Sequence, residues 1–153
     1  MTACGALRHR RHRRALACGL AAVGLALAGC GSSSGSGGPS AATQVDVTER
    51  DFHIGLSTAS VRAGTVRLRI HNAGPDDHEL IVAPGRSGSL PLRPDGFTVS
   101  EERIGSSEPG SIGPQKPGGT ESLVLALKPG RYVLFCNMEG HFMAGMHTTL
   151  VVR

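Results

Sequence analysis

Between Cys136 and His147 the chain carries one thiol, two imidazoles and three thioethers, a density of metal-binding side chains that no other stretch matches. Within it Cys136, His141 and Met146 are spaced five and five, at the end of an apolar run and around a turn containing Gly140 and Gly145. One loop therefore offers a thiolate, an imidazole and a thioether. That donor set suits copper cycling between its two oxidation states, provided that a second imidazole arrives from elsewhere. His78 is the candidate for it. Structural zinc is the rival metal, but zinc favours thiolate, imidazole and carboxylate, and thioether is a poor ligand for it. A third use of Cys136, as a nucleophile, would need an imidazole base and an orienting group. That use leaves Met146 without a role.

The elements that must position these side chains follow from the hydrophobic pattern. From Val45 onward apolar and polar residues alternate with period two, the mark of strands with one face in a core and one in water. Val66, Leu68 and Ile70 alternate with Arg67, Arg69 and His71, while Phe52, Ile54 and Leu56 form one face and Leu123, Leu125 and Leu127 another. Gly64-Thr65, Asn72 to Pro75 and Lys128 to Gly130 are the turns between such runs. No amphipathic run is long enough to predict a helix. Parity then sorts the donors. His78 shares a face with Leu80 and Val82, Cys136 with Tyr132 and Leu134, and Met146 with Thr148, Leu150 and Val152. Donors that point inward from strand ends can build a metal pocket at one end of a sandwich, and Met146 is preferred to Met143 because it begins the inward set. His53, His71 and His147 fall on the opposite parity and are expected to face solvent. Met138 and Met143 read as packing residues.

Residues 84–119 hold six of the nine prolines and eight glycines. A segment of that length without regular pattern is unusual inside a compact domain. It reads as a long crossover with one or two short strands packed on the sandwich.

The amino-terminal part has a different composition. Arg8, Arg10, Arg11, Arg13 and Arg14 precede an uncharged, mostly apolar run from Ala15 to Ala28, the pattern of an export signal. The run ends in Leu27-Ala28-Gly29-Cys30, which resembles the lipobox of bacterial lipoproteins. The resemblance implies a signal peptide over 1–29, cleavage before Cys30 and lipidation of its sulfur. Residues 31–44 are small and polar and read as a flexible tether, so that 30–44 would hang a domain of residues 45–153 from the outer face of the cell membrane. All twelve acidic residues but only eleven of the sixteen basic ones lie beyond Cys30, which leaves a balance of −1. The basic character belongs to the signal, and nucleic-acid binding, which needs a basic patch on the folded part, is not expected. Cys4 and Cys18 would be lost with the signal, so Cys136 is the one thiol of the domain. It cannot form an internal disulfide, and an unpaired thiol outside the cytoplasm calls for burial or a metal.

Taken together, Asp51-Phe52, the Gly64 turn, Asn72-Ala-Gly followed by His78-Glu79, Pro129-Gly130 with Tyr132, and Cys136 through Met146 resemble the cupredoxins, the blue-copper family of plastocyanin and azurin. The resemblance covers residues 45–153. It implies an all-β Greek-key sandwich of seven or eight strands with one type 1 copper ion. His78, Cys136 and His141 would be its equatorial ligands and Met146 the axial one. It further implies a monomeric one-electron carrier with redox protein partners and no catalytic activity of its own. Copper trafficking or storage is the alternative that the Met- and His-rich loop keeps open.

Overall fold

The computed structural model describes residues 41–153; the lipobox, Cys30 and most of the expected tether lie outside the described residues. Among the described residues nine strands build two sheets. In one, β2 (His53–Leu56), β1 (Thr43–Arg50), β4 (Gly64–Asn72) and β7 (Thr120–Leu127) lie side by side in that order. In the other the order is β3 (Ser60–Val61), β9 (His147–Val152), β8 (Gly130–Phe135), β5 (His78–Pro84) and β6 (Gly110–Gln115). The expected all-β Greek-key sandwich is therefore present, with nine strands where seven or eight were expected. The excess has a simple origin. β3 is only two residues long, and β6 lies inside the stretch read as crossover.

Alternation explains the inner core. Val45 and Val47 of β1, Val66, Leu68 and Ile70 of β4, and Leu80 and Val82 of β5 are buried between the sheets. They meet Leu134 of β8 and Leu150 and Val152 of β9 there. Each such side chain contributes about 1.5–3 kcal/mol when fully removed from water. The outer face of the five-stranded sheet is also covered, because Ile81, Ala83, Val133 and Phe135 pack beneath Val99 and Ile104 of the crossover and Phe142 of the ligand loop. Hence β5 and β8 are buried on both faces, the reason their sequences read as nearly continuous apolar runs. The crossover itself contains a one-turn helix, α1 (Glu101–Ile104), and a bridge between Leu92 and Val99.

Phe52 breaks the parity expected of it. It sits at the tip joining β1 to β2 with φ 61° and is 51% exposed, whereas Ile54 and Val47 beside it are buried. Parity holds only where the backbone is extended, and a residue in the left-handed region turns its side chain off the strand's alternation.

Candidate metal centre

His78 is the first residue of β5 and Cys136 directly follows β8, so both leave the sandwich at the same end. The turn before His78 is tied by Asn72, which is fully buried. Its Nδ2 donates to the carbonyls of Asp76 and Gln115, both at 2.8 Å, and its Oδ1 accepts from the Gly74 amide at 2.7 Å. The loop from Cys136 to Met146 is held by its own backbone. Cys136 N–H donates to Met146 O (3.1 Å), Met146 N–H to His141 O (2.9 Å) and His141 N–H to Met138 O (2.9 Å). Gly140 and Gly145, with φ of 82° and 100°, permit the tight turning these bonds require.

Three side chains converge. One ligand atom from each of His78, Cys136 and His141 lies within 4.8 Å of the others. Cys136 Sγ and His141 Nδ1 are 3.5 Å apart, and the two imidazoles meet edge-on with centroids 5.3 Å apart. A sulfur and a nitrogen bound to one ion at about 2.3 and 2.0 Å, at tetrahedral to trigonal angles, stand about 3.5–3.8 Å from each other. The observed separation has that value. His78 and Cys136 are fully buried, and Met146, also fully buried, belongs to the same core cluster as Cys136. Met143 is 52% exposed and stands apart from that cluster, while Met138 packs against it.

The electrostatics fit a cation. Asp51 Oδ1 stands 3.2 Å from His78 Nε2, but the approach is not aligned as a hydrogen bond, and both His78 ring nitrogens are buried without a hydrogen-bond partner. Buried polar atoms are normally satisfied, and two unpaired nitrogens on one ring call for a ligand. Burial holds His78 below the ordinary imidazole range, with nearby His141 acting the same way, against Asp51 and Asp76, which pull it up. The neutral ring that results is the form that binds metal. Burial pushes the Cys136 thiol up to about 11, although the backbone amides of Glu79 and Met138 draw it partly back. A metal must therefore displace a proton from this sulfur, and a soft, strongly thiophilic ion does so best.

Of the remaining histidines, His53 is exposed and half-buried His71 Nδ1 lies 3.1 Å from both the Gly119 carbonyl and Thr120 Oγ1. His147, also half-buried, packs at a tilt against Phe142 with centroids 5.1 Å apart and stands outside the convergent group. Asp51 and Asn72 were visible in the sequence only as motif and turn residues and Asn137 was not singled out; each has a supporting role at the site. Asp51 faces His78, Asn72 holds the preceding turn, and Asn137 pins the crossover through Val99, donating to its carbonyl (3.0 Å) and accepting from its amide (2.7 Å). Asn137 also donates to Glu101 Oε1 at 2.8 Å. A polar residue inside an otherwise apolar segment, as at Asn137, was the available signal.

No family model matches the chain, and no curated protein matches its sequence. Solved structures do match its fold. Auracyanin from Roseiflexus castenholzii has a TM-score of 0.55 and 19% identity, over 73% of this chain and 98% of that one. Auracyanin A from Chloroflexus aurantiacus, described as a "blue" copper protein, gives 0.52 and 18% over 72% and 98%. Rusticyanin from Thiobacillus ferrooxidans gives 0.51 and 14% over 73% and 79%. The sandwich has the cupredoxin fold. Into that fold the chain places a convergent His-Cys-His group suited to a metal.

Proposed function

We propose that this chain is a type 1, blue copper protein that carries single electrons, with His78, Cys136 and His141 as equatorial ligands and Met146 as the axial one. The observation that carries the reading is the convergence of two imidazoles and a thiol within 4.8 Å at the end of a closed sandwich. Copper, when bound, supplies a one-electron couple. The residues do the rest. His78 and Cys136 issue from strand ends and the loop is braced by backbone hydrogen bonds, so the donors stay in place whichever charge they face. A first shell on rigid elements needs little rearrangement. Half-buried His141, whose ring meets exposed Phe52 edge-on, is the side chain through which the site reaches the surface. The alternative of copper handling draws on one observation, that exposed Met143 and half-buried His147 line a common cavity of about 300 Å³ next to the loop.

The same proposal places the domain outside the cytoplasm, anchored through lipid on Cys30, and gives it redox proteins as partners; the arginine-rich start, the apolar run and the lipobox support this. The test of function is voltammetry with chelator competition on the copper-loaded protein. A reversible one-electron couple and retention of copper against a moderate chelator are expected. Binding of reduced copper alone, with ready surrender to an acceptor, would favour handling instead.

A further inference from the structure

The Asp51–Phe52 tip between β1 and β2 touches both imidazoles of the site, although it belongs to the sheet that supplies no ligand. Asp51 Oδ1 stands 3.2 Å from His78 Nε2 and 3.4 Å from the Asp76 amide in the turn that delivers His78. Phe52 meets the His141 ring edge-on, with centroids 5.5 Å apart and planes at 77°. A Cβ at Gly145, next to Met146, would stand 4.0 Å from the Phe52 carbonyl oxygen, so the tip also lies against the end of the ligand loop. To make these contacts Phe52 adopts φ 61° and leaves half its surface in water. Both features are costly. A bulky side chain in the left-handed region is a true outlier, and such conformations persist where the surroundings over-determine them, commonly at functional sites.

We infer that the Asp51–Phe52 tip is a brace: Asp51 is a positioning residue that fixes the tautomer and tilt of His78, and Phe52 shields and orients His141. This rests on the copper reading of His78 and His141. A carboxylate beside an imidazole selects the tautomer that carries its proton on the facing nitrogen. Asp51 faces Nε2, so the proton sits there and the Nδ1 lone pair is left for the metal. A small rotation of the ring converts the 3.2 Å approach into an aligned N–H···O bond. Phe52 packs edge-on against half-buried His141 and limits how far that ring can swing. The strained backbone is what aims the aromatic ring at the imidazole instead of at the core.

The test uses the full chain and copper itself. In ¹⁵N NMR of the metal-free protein, His78 is expected as the Nε2–H tautomer, and Asp51→Ala should mix the two tautomers. In competition titrations with a chelator, Asp51→Ala should lose about 10–100-fold in copper affinity, whereas Asp51→Asn, which keeps an acceptor oxygen, should recover most of it with a raised reduction potential. Phe52→Gly should release copper several-fold faster while its thermal midpoint does not fall, because glycine takes the positive φ without strain. A residue serving the fold alone would move midpoint and metal release together. The Nδ1–H tautomer in the wild type, or copper affinity unchanged in Asp51→Ala, would overturn the brace. Wild-type protein with the Nε2–H tautomer but no copper uptake would keep the brace and overturn the copper reading.

Discussion

Two buried polar groups in one core behave in opposite ways. At the metal end His78, Cys136 and His141 point their donors at a common volume, and the His78 nitrogens are left unpaired there. On β1, Glu49 is fully buried with both carboxylate oxygens unpaired, and it is not part of that convergent group. Desolvation, with Glu79 nearby, pushes its carboxyl up to about 7. Groups that converge make a binding site, because one cation can take a donor atom from each of them. A buried carboxyl left outside that group, with a second carboxyl near it, relieves its cost by holding a proton.

The largest effect that can break this comparison is expected from Cys136→Ser. Removing the sulfur should abolish visible absorption and nearly all affinity for copper, measured by optical titration, while far-UV circular dichroism stays that of the sandwich. Strong copper colour in that variant would show that the three donors do not act as one group.

Glu49→Gln sharpens the other half. The folded pKa, about 7, lies above the ordinary 4.5, so the folded chain keeps a proton that the unfolded chain has lost. Stability from this group is whole below about pH 4.5 and is lost as pH rises through about 7. At about 1.4 kcal/mol per pKa unit, the variant should gain up to about 3 kcal/mol over wild type at pH 8 and almost nothing at pH 4. Urea melts of the metal-free proteins at the two pH values measure it. Equal differences at both would mean that Glu49 is charged in the core.

Asn137→Ala should cost about 2 kcal/mol, since the Val99 amide and carbonyl lose their partner in a buried setting. Amide exchange should quicken at Val99 first. The smallest effect is expected from His147→Gln, which should leave copper stoichiometry and spectrum unchanged because His147 lies outside the convergent group. Loss of metal there would redraw the site.

Legibility in the sequence followed the regularity of the backbone. Val66, Leu68 and Ile70 alternate in an extended strand, and all three are fully buried as their pattern requires. His78 and Cys136 sit at the ends of such strands, so their inward direction could be read as well. Phe52 could not, because a single left-handed residue undoes parity. The crossover resisted for another reason. Its order comes from contacts distant in sequence, Asn137 gripping Val99 and Ile104 packing over Phe135 and Phe142, and no local pattern announces them. Asp51 was visible as part of a motif, but its place beside His78 arises only when the two sheets close.

The central claim is that these donors form one type 1 copper centre, and its most direct test is a titration of the metal-free chain with copper(II), followed by visible absorption. One equivalent should bind and give intense thiolate-to-copper charge transfer that vanishes on reduction and returns on oxidation. A colourless complex, or saturation at a stoichiometry other than one, would contradict the account.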